Sequence, residues 1–163
     1  MSVTDELLAA NSTFASSFDD GGLPGPPSRH VAVVACMDAR LDVWRALGLG
    51  QGEAHVIRNA GGVITDDVLR SLTISQRKLN TTEIVLVHHT KCGMATFSDD
   101  DFVGELEQEC GQRPGWAPGA FGDTEQDVRE SLAAVRSCPF LLHTDGVRGF
   151  VYDVDAGTLT EVE

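Results

Sequence analysis

Two short stretches of the 163-residue chain crowd metal-binding and charged side chains together: Cys36-Met-Asp38-Ala-Arg40 and His89-Thr-Lys91-Cys92. Cys36, His89 and Cys92 are donor types that bind zinc. Three of them are one short of the four that close a structural zinc site, which leaves a position open for water. Arg40 can hold Asp38 ionised and oriented through a two-pronged contact, and Asp38 can in turn accept a hydrogen bond from the metal-bound water. Taken singly, each cysteine reads as a buried thiol, His89 as a core histidine and the Asp38–Arg40 pair as a surface ion pair. Taken as a set, they point to metal-assisted attack of water.

Both stretches end continuous apolar runs, Val31-Ala-Val-Val-Ala-Cys36 and Glu83-Ile-Val-Leu-Val-His88. Neither run alternates polar with apolar residues, as expected of strands covered on both faces in a parallel sheet. The polar groups are therefore delivered at carboxyl ends of strands, where open α/β sheets place their sites. A third strand is predicted over residues 54–57. Helices are predicted over 4–18 with Thr4 as cap, 42–47 stopped by Gly48, 65–79 capped by Thr65 and ended by Asn80, 99–110, and 124–137 capped by Thr124. The tail, Phe140-Leu-Leu-His followed by a Thr-Asp-Gly turn and Gly149-Phe-Val-Tyr-Asp-Val, reads as one or two closing strands, and residues 111–122 as a surface loop. The expected fold class is α/β, a mostly parallel central sheet flanked by helices. It forms one domain over 1–163, with a helical arm at 1–20, a Gly- and Pro-rich connector at 21–29 and the body at 30–163.

Twelve Lys and Arg against 25 Asp and Glu leave a net charge of −13. That balance repels phosphate backbones and anionic lipid, so nucleic acid and membrane surfaces are excluded as partners and a small-molecule substrate is expected. The chain is long enough to bury a core without disulfides or a structural metal. Its acidic N-terminus lacks the basic start and apolar run of a secretory signal, and with four cysteines it is expected in the reducing cytoplasm.

The combination Cys36-x-Asp38-x-Arg40, Arg58-Asn-Ala-Gly and His89-x-x-Cys92-Gly93-Met94 resembles the β-class carbonic anhydrases, over residues 30–94. The resemblance implies one zinc ion per subunit on Cys36, His89 and Cys92, with Asp38 and Arg40 as a catalytic dyad. It also implies reversible hydration of carbon dioxide to bicarbonate by zinc-hydroxide attack. The implied assembly is a homodimer built on four-stranded sheets, in some members a homotetramer or larger, with N-terminal helices embracing the partner. That role falls to residues 4–18. Two thiolates cancel the charge of zinc, so its water is less acidified than at an all-histidine site, and Asp38 matters the more. In some members the aspartate leaves its arginine and binds zinc in an inactive form, and Asp38 is open to either arrangement.

Where the family usually reads His-Thr-Asp-Cys, this chain has Lys91, which reverses a charge beside the metal turn. Arg58 can line the cleft and meet bicarbonate or pair with a carboxylate. Gly93 can offer its N–H to an anionic intermediate or permit a tight turn. His88 is expected to pack or hydrogen-bond on the far side of the strand from His89, His55 and His143 to be structural, and Cys110 and Cys138 to be free thiols. Asp66-Asp67 and Asp99-Asp-Asp are expected as helix starts. Enzymes similar to this family use the same ligands and dyad on carbonyl sulfide or carbon disulfide, so such a hydrolase is the alternative. A noncatalytic zinc-binding scaffold is a third reading, against which the intact Asp38 and Arg40 argue.

Overall fold

A computed structural model describes residues 2–163. The chain runs α1 (Val3–Ala15), β1 (Val31–Cys36), α2 (Val43–Leu47), β2 (Ala54–Asn59), α3 (Asp66–Leu79), β3 (Glu83–His89), a 3-10 turn (Gly93–Ala95), α4 (Asp99–Cys110), α5 (Thr124–Arg136), β4 (Val147–Tyr152) and β5 (Leu159–Val162). The strands form one sheet in the order β2-β1-β3-β4-β5. The first four are parallel and β5 is antiparallel to β4.

The apolar runs become the buried centre of this sheet for the reason the pattern implies. On β1, Ala32 and Val34 face one layer with Val68 and Leu72 of α3 and Val128, Leu132 and Val135 of α5. Val33 and Ala35 face the other with Leu41 and Val43. Period-two alternation between two covered faces leaves no polar position in the strand. Gly149 of β4 admits α5, since a Cβ there would lie 2.4 Å from Val128 Cγ1.

Three local expectations are corrected. The sheet has five strands instead of four, because the chain beyond β4 folds back through Asp153, whose N–H reaches Thr158 O at 2.8 Å. Residues 140–143 form no strand: the Gln76 amide accepts from the N–H groups of Leu142 and His143 and donates to His143 O, so a side chain satisfies that backbone in place of a ladder. The caps of α1 and α5 are Ser2, in a reciprocal capping box with Asp5, and Asp123, whose Oδ1 accepts from Gln126 N–H, instead of Thr4 and Thr124. The Thr65 and Asn80 boundaries of α3 and the Asp42 to Gly48 turn stand as expected.

From β1 the chain passes to β2 on one side and returns to β3 on the other. The carboxyl ends of β1 and β3 therefore diverge into a crevice at the switch point. Among the described residues no helix is long and apolar enough to cross a membrane.

Candidate metal centre

Cys36 closes β1 and His89 closes β3, on neighbouring strands. Cys92 follows after a turn in which Lys91 takes a positive φ of 56°. The two Sγ atoms lie 3.9 Å apart, and the ligand atoms of Cys36, His89 and Cys92 all fall within 4.8 Å of one another. All three side chains are buried, with Phe121, Val63 and Met94 packed around the thiols.

His89 Nδ1 donates to Thr90 O at 2.9 Å, which turns the Nε2 lone pair toward the thiols. That Nε2 is buried and has no hydrogen-bond partner, a costly state unless something coordinates it. The thiols make the same case. Burial disfavours the Cys36 thiolate, but the adjacent His89 and the N–H groups of Asp38 and Gly61 outweigh it and bring Cys36 down to about 7. Burial pushes Cys92 up to about 11, with Cys36 beside it adding to the rise. Without a cation between them the two thiols cannot both ionise readily, so the donor set fits a zinc ion.

Asp38 stands over this cluster, Oδ2 3.7 Å from His89 Nε2. Arg40 grips it three times: N–H and Nε to Oδ1 at 2.9 Å each, and Nη2 to Oδ2 at 2.7 Å. These bonds hold the carboxyl well below the usual carboxylate range. Arg40 Nη2 also donates to Lys91 O at 2.9 Å, so one guanidinium ties the turn after β1 to the turn after β3. The Asp38–Arg40 contact is intact in this arrangement. Lys91 Nζ points away to pair with Asp155 at the surface.

The loop after β2 closes the floor. Gly62, at φ +75°, lies so near the strand ends that a Cβ would sit 2.9 Å from Cys36 N and 3.2 Å from Val87 O. Gly62→Ala is expected to cost about 2–5 kcal/mol, from left-handed strain plus overpacking. Urea unfolding checks this, and a loss under about 1 kcal/mol would mean that the strand ends yield without strain.

Arg58 sends Nε to Cys36 O at 2.9 Å and Nη2 to Asp38 O at 2.7 Å. Gly93 opens the 3-10 turn without a positive φ, and a Cβ there would meet nothing within 4 Å. His88 is fully buried and its Nε2 meets Asp127 Oδ2 at 2.5 Å. His55 binds Ser75 Oγ at 2.8 Å, while His143 is exposed and engages Gln76 through its backbone. Cys110 and Cys138 are free thiols. Asp66, Asp67 and Asp99 to Asp101 occupy first helical turns. Among the described residues Cys36, His89 and Cys92 form the one His, Cys, Asp or Glu group close enough to share a metal. Phe121 was missed: residues 111–122 read as a surface loop, yet Phe121 turns inward, its N–H bonded to Met94 O at 3.2 Å.

An α/β sheet that brings two thiols, an imidazole and an arginine-held carboxylate to its switch point has the frame of a metal-dependent enzyme. The chain belongs to the β-class carbonic anhydrase family. Residues 31–117 match the carbonic anhydrase family. The chain is 58% identical over 162 residues to β-carbonic anhydrase 1 of Mycobacterium tuberculosis, covering 99% of each protein. It is 32% identical to a carbon disulfide hydrolase of Acidithiobacillus thiooxidans, over 82% of this chain and 77% of that one. A carbonic anhydrase structure from Streptococcus mutans superposes with a TM-score of 0.93 at 41% identity, covering 100% of this chain and 99% of that one.

Proposed function

We propose that the chain is a zinc-dependent carbonic anhydrase that interconverts carbon dioxide and water with bicarbonate and a proton. The observation that carries this reading is the buried, partnerless Nε2 of His89, facing two thiols and the arginine-held Asp38. Cys36, His89 and Cys92 hold one zinc ion per chain, and the ion, when bound, supplies Lewis-acid activation of water. Asp38 accepts a hydrogen bond from the attacking water and sets its orientation, because Arg40 fixes both carboxylate oxygens. Phe121, Val63 and Met94 give the uncharged substrate an apolar surface beside the thiols. Gly93 has its backbone N–H at the metal turn, where it can meet the anionic product.

A sulfur substrate is the second reading, supported by the A. thiooxidans relative's name. Stopped-flow carbon dioxide hydration on zinc-quantified protein, paired with hydrogen sulfide release from carbonyl sulfide and carbon disulfide, separates the two. Fast hydration with negligible sulfide is expected, and the reverse pattern would replace the first reading with the second.

The assembly proposed is a homodimer. In support, no residue of α1 is buried although it carries Val3, Leu7, Leu8 and Phe14, and β2 is an edge strand. Sedimentation velocity at micromolar concentration should give a dimer or a multiple of it, and a monomer would remove this part of the proposal. Four unpaired cysteines fit a reducing cytoplasm.

A further inference from the structure

Arg58 belongs to β2, yet its side chain acts on β1. The β1 ladders end at Cys36 opposite Asn59 and at Ala35 opposite Val87, so the carbonyls beyond that point need partners from elsewhere. Arg58 Nε takes the Cys36 carbonyl at 2.9 Å and Nη2 takes the Asp38 carbonyl at 2.7 Å. Both bonds of this half-buried guanidinium go to main chain. The Asp38 carbonyl also accepts from Leu41 N–H at 3.0 Å, which locks the far side of the same turn.

The two carbonyls belong to the residues whose side chains do different jobs. Cys36 supplies a thiol to the metal cluster, and Asp38 supplies the carboxylate above it. A planar, charged fork that grips both peptide units fixes the spacing between those jobs, which a single rotating ammonium cannot do. We infer that Arg58 is a positioning residue: by clamping the Cys36 and Asp38 carbonyls it sets the distance between the metal-binding thiol and the dyad carboxylate. Its effect passes through those two residues, with no contact to bicarbonate required. This rests on the zinc reading above.

The test compares Arg58→Ala and Arg58→Lys with the unaltered full chain, all zinc-quantified, by steady-state kinetics in both directions and by the rate of zinc loss to a chelator. For Arg58→Ala, kcat should fall roughly 10²-fold in hydration and dehydration while KM for bicarbonate stays within about twofold, the signature of a displaced reacting group. Zinc should leave about tenfold faster, the size of effect expected when support for a metal ligand is lost. Arg58→Lys keeps the charge but can reach one carbonyl at a time, so it should recover part of kcat and part of the zinc retention. A bicarbonate KM raised about tenfold with kcat and zinc loss unchanged would make Arg58 a substrate contact and overturn the inference. Unchanged kcat and unchanged zinc loss would overturn it as well. If Arg58→Ala does not fold, Arg58→Lys decides alone, and wild-type kcat with wild-type zinc retention in that variant sinks the clamp. Should the unaltered protein hydrate no carbon dioxide, the functional reading fails while the zinc-loss comparison still judges Arg58.

Discussion

Cys92→Ser should lose zinc and activity together. Serine places a poorly ionised hydroxyl where a thiolate is needed, and the remaining Cys36 and His89 make two donors, too few for a tight zinc site. Metal content after dialysis against chelator is expected below about one-tenth of an ion per chain, with hydration at the uncatalysed rate, because two remaining protein donors hold zinc too weakly to compete with a chelator. Elemental analysis of the purified variant reads this directly. Full occupancy would strike Cys92 from the ligand set and force a search for another donor. The fold should survive the change, since the sheet packs through two apolar layers in which Cys92 takes no part.

The second large effect is expected at Asp38, with the opposite split between metal and turnover. Asp38→Ala leaves Cys36, His89 and Cys92 in place, so zinc should be retained. Turnover should fall by about 10²-fold or more, the cost of misplacing the attacking water. Arg40 would then keep its bond to Lys91 O but lose its carboxylate, leaving an unpaired guanidinium above the cluster. The pH dependence has a definite sign. Because Arg40 holds the Asp38 carboxyl below the usual range, the residue remains ionised down through mildly acidic pH. An acid limb of the rate profile near neutrality therefore belongs to another group and should persist in whatever activity the variant retains. Near-normal turnover in Asp38→Ala would show that the dyad is structural.

The centre of the fold was legible because its signals are local. A strand buried on both faces must be apolar throughout, and β1 and β3 are. A helix stop that needs a left-handed residue favours Gly or Asn, which is how Gly48 and Asn80 declare themselves. Because the chemistry-bearing residues sit on the ends of those strands, reading the strands also located Cys36 and His89. What escaped depends on partners far away in sequence. Residues 140–143 form a short apolar run that resembles a strand, but Gln76 supplies their hydrogen bonds. Arg58 has several chemically reasonable partners, and only the register that sets β2 beside β1 decides for the carbonyls. Phe121 lies in a Pro- and Gly-rich loop with no periodicity to mark an inward side chain. The cap choices Thr4 and Thr124 failed on a finer point, since a second residue of capping type, Ser2 or Asp123, lies within two positions and only geometry selects between them.

The inward turn of Phe121 has an evolutionary reading. The thiols, the imidazole and the dyad hang from the ends of central strands, where any insertion or shift disturbs the whole sheet. The ring beside the thiols comes from a connecting loop that tolerates replacement far better. Under the proposed function, the ring that flanks the substrate is thereby supplied by a segment separate from the strands that carry the donors, so the sequence of one can change without changing the other.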